Sequence, residues 1–283
     1  ATRAIDASVW SLDFLGLAVT TGFVGGLGIN VAHELMHRKG QPERGLAEVL
    51  MTAVTYPHFC VEHILGHHRW VATPHDPASS RRGEVLYAFL FRTIFGSLTS
   101  AWRLETARVA KLGLRPGSWK DRRFRYPFVL LVVYVGFFVG LGANAALFFF
   151  AQSVVAALLL ETINYIEHYG LSRREIEPGR YEPCKPAHSW NSAHRVTNCI
   201  LFNLPRHADH HHLASRPYFS LRDIEDSPQL PAGYATMVLC SLVPPLFRAV
   251  MDPRVDEWNR KVNRTYEECG RVNPTPEEAV LSS

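Results

Sequence analysis

Apolar residues in this chain of 283 residues are gathered into blocks, and the blocks are long. Residues 14–32 (FLGLAVTTGFVGGLGINVA) are 19 positions without a charged side chain. Residues 126–160 are 35 more. A bilayer core of ~30 Å takes roughly 20 apolar residues as a helix, whereas a soluble core helix is shorter and amphipathic. The first block therefore predicts one membrane span, in which Gly16, Gly22, Gly25, Gly26 and Gly28 permit close helix packing. The second is too long for one span at ~1.5 Å per residue. Gly140, Gly142 and Asn144 near its middle predict a helical hairpin, out over about 126–140 and back over about 145–168. Residues 49–61 are uncharged but few and contain Pro57, which predicts a buried or re-entrant helix. Residues 232–247, interrupted by Pro244-Pro245, predict an interfacial or core helix. The expected fold class is all-α: a polytopic integral membrane helical bundle.

Charge sets the orientation of that bundle. Residues 102–125 carry eight Lys or Arg against Glu105 and Asp121, and further basic residues fall on the same side. By the positive-inside rule this side is cytoplasmic. Span one then begins outside, which predicts further spans upstream. No basic n-region with a cleavage site precedes it, so it is not a signal peptide. The charged segment after Pro253 ends in NPTPEEAVLSS. We divide the chain into a membrane core, 1–258, with N-terminal spans missing, and a mobile C-terminal tail, 259–283. Five scattered cysteines without a C-x-x-C exclude a disulfide scaffold or a Cys-rich zinc module. No nucleic-acid motif accompanies the basic run, which flanks a span.

Histidine carries the candidate chemistry. There are 14, and most are clustered. His33 and His37 share a helix face; His63, His67 and His68 form H-x3-HH; His207, His210 and His211 form H-x2-HH, one face if helical. His168 ends the return arm of the hairpin. All four places lie at the cytoplasmic ends of apolar segments. So many imidazoles cannot all be charged side by side, and buried neutral ones need partners. A metal site satisfies them together, and their number exceeds one ion's usual shell, so two ions are the economical count. Imidazole suits iron, copper, zinc and nickel alike. Glu34, Glu62, Glu167 and Asp209 each adjoin a group and are expected to orient the rings and offset the metal charge. His58, His75, His188, His194 and His212 lack the shared spacing and read as supporting, capping or surface residues. HELMH also matches H-E-x-x-H, the signature of a zinc protease with Glu34 as base, but that reading leaves the other two groups idle. A soluble-type di-iron bundle needs paired E-x-x-H motifs, and only Glu34–His37 fits.

The three boxes resemble the membrane-bound non-haem di-iron superfamily of desaturases and hydroxylases. HELMHRK, EHILGHHRWVATPHDPASSR, NYIEHYGL and LPRHADHHH, with KPAHSWNSAHRVTN between the last two, resemble its alkane 1-monooxygenase branch over about residues 9–258. The third box departs from the family in carrying Pro205 before Arg206. The resemblance implies that His33, His37, His63, His67, His68, His168, His207, His210 and His211 hold two iron ions. It implies terminal hydroxylation of medium-chain n-alkanes to 1-alkanols with O2, and rubredoxin as electron donor on the basic face. It implies a multi-pass protein of the bacterial inner membrane with its site toward the cytoplasm. A fatty-acyl desaturase or hydroxylase of the same superfamily is the alternative. Gly26, Ile29, Leu160 and Asn164 lie at helical spacing from His33 and His168 and are expected to line the substrate tunnel.

Overall fold

The computed structural model describes residues 9 and 11–272. Its architecture is helical, apart from one short hairpin. Helix α1 (Leu12–Met36) starts at Ser11, whose hydroxyl accepts from the Phe14 N–H at 3.2 Å. It runs past the expected end of span one, so that His33 lies inside the helix. Helix α2 (Gln41–Thr52) follows, then a turn containing Pro57, then α3 (Phe59–Glu62). The uncharged 49–61 block is thus two helices meeting at a break. From α3 the chain continues through a π turn (His63–His67) into the short α4 (His68–Trp70). Helix α5 (Leu86–Lys111) is long, and α6 (Arg122–Leu141) and α7 (Ala143–His168) form the expected hairpin. Its corner is Gly142 at φ +88°, a conformation that costs a side-chain-bearing residue more than glycine.

The hairpin β1 (Glu175–Glu177) and β2 (Arg180–Tyr181) leads to α8 (Arg195–Ile200) and α9 (His207–His212). Two helices close the described chain, α10 (Tyr234–Ser241) and α11 (Pro244–Val272). Helix α11 crosses the boundary expected at 258 and carries part of the 259–283 segment to Val272. It is pinned to the body from both sides of that boundary. The Trp258 indole donates to the Ala187 carbonyl at 3.0 Å, and Tyr266 donates to Glu182 beneath Lys185. Residues 273–283 lie outside the described residues.

Among the described residues, three helices are long and apolar enough to cross a membrane: α1, α6 and α7. Helix α6 leaves Leu131, Val132, Val135, Phe138 and Val139 exposed, as a lipid-facing helix does. Helices α1 and α7 pack closely. A Cβ on Gly22 would lie 2.5 Å from Val155 Cβ, and one on Gly26 would lie 2.7 Å from Leu159 Cδ2, so larger residues there would force the helices apart. One apolar cluster, around Ile29, Met51, Phe59 and Ala156, joins α1, α2, α3 and α7. Another, around Phe89, Tyr165, Trp190, Tyr234 and Phe247, fills the space between α5, α7, α10 and α11. Both clusters adjoin histidine-bearing segments: Phe59 of the first stacks on His63 with centroids 4.7 Å apart, and Ile166 and Tyr169 of the second are close to His168 in sequence.

The basic run at 102–125 is less free than its composition suggests. Arg108 pairs with Glu105 at 2.6 Å, Arg123 with Asp121 at 2.8 Å, and Arg125 with Glu48 at 2.6 Å.

Candidate metal centre

The nine histidines of the boxes converge although 178 sequence positions separate His33 from His211. They form two groups, within each of which the ring nitrogens lie within 4.8 Å of one another. His33, His37, His63, His68 and His210 make the first; His67, His168, His207 and His211 make the second. In the first, His63 Nε2 is 3.1 Å from His37 Nε2 and 3.0 Å from His68 Nε2, and His210 Nε2 is 3.2 Å from His68 Nε2. In the second, His211 Nε2 is 3.2 Å from His67 Nε2 and 2.9 Å from His207 Nε2, which is 3.3 Å from His168 Nε2.

The π turn explains the split. In an α-helix His63 and His67 would share a face. Here the His68 N–H reaches back five residues to the His63 carbonyl. This wider turn sets His68 edge-on beside His63, ring centroids 4.5 Å apart, and leaves His67 Nε2 to the other group. The third box divides by ordinary helical geometry: His207 and His211, four apart, go together, and His210 turns to the first group. The spacing puts His63 and His67 on one face with His68 beside it, and the third box on one face; the structure instead groups His63 with His68 and separates His210 from His207 and His211. Each box straddles the centre and supplies both groups, whereas α1 serves only the first and α7 only the second.

The nitrogens suit a cation. Ligands at about 2.1 Å from one ion lie about 3.0 Å apart across a right angle, the spacing seen here. Burial first, and neighbouring imidazoles next, push His63, His68, His207, His210 and His211 well below the ordinary histidine pKa. The same causes bring His37 down to about 3. These rings are neutral and offer lone pairs. Bare lone pairs this close repel, and a shared cation turns the repulsion into coordination. His33 Nε2, buried and without a hydrogen-bond partner, fits the same reading.

The anionic partners differ from those expected. Only Glu167, of the four named carboxylates, meets a ring: its Oε2 is 3.3 Å from His207 Nε2, and its Oε1 accepts from the Tyr234 hydroxyl at 2.8 Å. Adjacent helical residues point ~100° apart, so a carboxylate beside a histidine in sequence faces elsewhere. Glu34 pairs with Arg38 and accepts from the Tyr218 N–H. Glu62 is buried against α5, near Ser100 Oγ at 3.4 Å. Asp209 is held by Arg216 at 3.2 Å and Arg222 at 3.1 Å. The partner missed in the sequence is Asp76. It accepts from His67 Nδ1 at 2.9 Å and from Ser79 Oγ at 2.6 Å. That bond fixes the proton on Nδ1 and leaves Nε2 aimed at the second group. Its signal lay in the HDP of the second box. Trp190 was also missed: its indole donates to the Tyr169 carbonyl at 2.9 Å and its N–H to the Glu167 carbonyl at 2.8 Å, clasping the two neighbours of His168.

A narrow, mostly apolar cavity reaches both groups. Gly26, Ile29, Leu160 and Asn164 all line it, with His33, His63 and His207 at its polar end. The other histidines stand apart: His75, His194 and His212 are exposed, His58 packs on Tyr56, and His188 Nδ1 accepts from the Lys185 N–H at 3.0 Å.

Comparison with known proteins agrees with this geometry. The family model described as fatty acid desaturase matches residues 8–240. Alkane 1-monooxygenase 2 of Alcanivorax borkumensis is 43% identical over 264 residues, covering 93% of this chain and 69% of that protein. The chain belongs to the alkane 1-monooxygenase family. Alkane 1-monooxygenase 1 of Pseudomonas aeruginosa is 48% identical over 245 residues, 86% of this chain, and the chain spans 64% of its length. The hydroxylase component of a Pseudomonas putida xylene/toluene monooxygenase is a more distant relative, 27% identical over 237 residues, covering 82% of this chain and 61% of that protein. Family membership and geometry together remove the protease reading: Glu34, the base it needs, is turned to Arg38, and His33 and His37 are two rings of five.

Proposed function

We propose that this chain forms the catalytic core of an enzyme that hydroxylates the terminal methyl of medium-chain n-alkanes to 1-alkanols, using O2 and electrons from rubredoxin. The observation that carries the reading is the meeting of nine imidazole nitrogens, in two groups with coordination spacing, at the end of a cavity that is otherwise almost apolar. The names of the relatives, which include alkane and xylene/toluene monooxygenases, support it.

On this reading the five-histidine group and the four-histidine group each hold one iron, with Glu167 at the second. Two irons would supply the redox chemistry of O2 activation, for which zinc is unsuited. The chain's own residues bind, orient and exclude. An n-alkane has no polar handle, so its binding rests on burial worth ~25 cal/mol per Å². Gly26, Ile29 and Leu160 give that burial and admit the chain end first, so selectivity for the terminal carbon is geometric. Asp76 and Trp190 hold His67 and His168 in place. The site faces the cytoplasmic side of a bacterial inner membrane, where a basic surface receives the acidic electron donor.

The test is turnover of octane by the full-length protein with reductase and rubredoxin, together with metal analysis. The expected product is 1-octanol, with about two irons per chain. An olefinic acyl chain from an acyl substrate, with no alkanol from octane, would give the desaturase reading instead. One zinc per chain would end both.

A further inference from the structure

Two polar side chains in the cavity are unexplained by the histidine groups. Asn30 on α1 and Asn164 on α7 both line it, among Gly26, Ile29, Leu159 and Leu160. They are held in opposite ways. Asn164 Nδ2 donates to Glu161 Oε2 at 3.1 Å. Glu161 is itself fixed by the Tyr56 hydroxyl at 2.8 Å and the Thr93 hydroxyl at 2.9 Å. A carboxylate accepts, so the nitrogen of Asn164 faces Glu161 and its amide oxygen is the end turned away from it. Asn30 has no such anchor. It is 6% exposed, and its Nδ2 has no hydrogen-bond partner. It sits three residues before His33, on the same face of α1, one turn from the metal group.

A buried amide N–H without a partner is costly, and more so at membrane depth. A saturated hydrocarbon cannot relieve that cost. A primary hydroxyl can: its oxygen accepts from Asn30 Nδ2 and its proton goes to Asn164 Oδ1. A methyl end offers neither.

We propose that Asn30 and Asn164 are a hydroxyl-binding pair that holds the oxidised end of the hydrocarbon, so that the cavity takes a 1-alkanol more tightly than the n-alkane of the same length. This rests on the hydroxylase reading and deepens it. The pair are positioning residues for the oxygenated chain end. They leave the methyl end to be held by shape alone.

The test measures binding without turnover. Full-length protein, loaded with zinc and placed in lipid nanodiscs, is titrated with decane, 1-decanol and decyl methyl ether at equal membrane mole fractions, and affinities are read from the shift in thermal midpoint. Wild type is expected to bind 1-decanol about tenfold more tightly than decane, the scale of one buried hydrogen bond. The ether, which accepts but cannot donate, falls between. Asn30→Leu, which leaves the Asn164 acceptor in place, is expected to cut the preference to about threefold while leaving decane within about twofold. Equal binding of alkane and alkanol by wild type overturns the pair, and needs no variant to fold. So does a preference undiminished in Asn30→Leu, since the zinc would then hold the hydroxyl. Octane turnover without the alkanol preference sinks the pair alone; the preference without turnover sinks the hydroxylase reading alone.

Discussion

The two histidine groups share two helical segments and yet are built differently. The first has five rings, two of them, His37 and His68, only half-buried, and among the described residues no carboxylate pairs with any of them. The second has four rings, all buried, with Asp76 behind His67 and Glu167 against His207. Five neutral ligands near the surface and four neutral ligands with two acids in the interior are two answers to one problem. A cation loses hydration on entering the protein, and the loss must be offset by more ligands or by negative charge. The half-buried group uses ligand number and the buried group uses charge. The groups should therefore fail differently.

The largest expected effect separates them by ligand count. His211→Ala leaves the second group three rings, whereas His33→Ala leaves the first group four. If a four-ligand site is worth ~10 kcal/mol or more, one ligand is worth roughly 100-fold in affinity. Metal analysis should show His211→Ala losing about one equivalent and His33→Ala retaining both at moderate metal concentration. Equal losses from the two variants, with folding checked by circular dichroism, would mean that the groups do not differ as described.

The second effect tests the charge. Asp76→Asn keeps the shape of the side chain but removes the anion that holds the proton of His67 on Nδ1. Affinity at the second group should fall ~10–100-fold while the first group keeps its metal. Titration with a chelator, followed by metal spectroscopy, would resolve one weakened and one intact site. Two intact sites would assign Asp76 to the Ser79 turn alone.

How much of this was legible in the sequence follows from the range of each signal. The nine rings and the spans α1, α6 and α7 are written in spacing and hydropathy, which are local patterns. Helix α5 is not. Its buried stripe mixes Leu86 and Phe89 with Thr93, Ser97 and Glu105, and Tyr87, Phe91, Phe95 and Trp102 are exposed, so composition identifies neither face. The split of the second box was hidden because a π turn changes the period on which face assignments rest. The supporting carboxylates were misread for a related reason. Adjacency along a helix is not adjacency in space, and Asp76 lies nine positions from His67 around a loop.

A smaller effect probes the frame of the second group under acid. Glu182 lies 3.4 Å from His188 Nε2, in the segment that leads to Trp190 and so to the carbonyls beside His168. Burial pushes its pKa up, but Lys185, Tyr266 and the Arg174 N–H outweigh burial and hold it at about 2. A carboxylate held below its ordinary value of about 4.5 stabilises the fold above that pH. The contribution is lost as the pH falls from about 4.5 toward 2. Solvent screening leaves about 1 kcal/mol. Thermal midpoints between pH 6 and pH 3 should fall less steeply in Glu182→Gln than in wild type, and the variant should be the less stable at pH 6. Parallel curves would remove Glu182 from the frame.

The smallest effect is also the sharpest control on the comparison. His75 is the immediate neighbour of Asp76 and belongs to the same box, so proximity in sequence alone would give it a share in the second group. Its ring is exposed and lies instead between Trp70, at 5.2 Å, and Tyr181, at 5.9 Å between ring centroids. Removing it takes away two edge contacts worth at most ~1 kcal/mol, and no nitrogen from either cluster. His75→Ala should keep both metal equivalents and lower the thermal midpoint by a few degrees at most. Loss of metal in that variant would show that the loop carrying Asp76 is held from outside by this ring, and that the buried group depends on its surface.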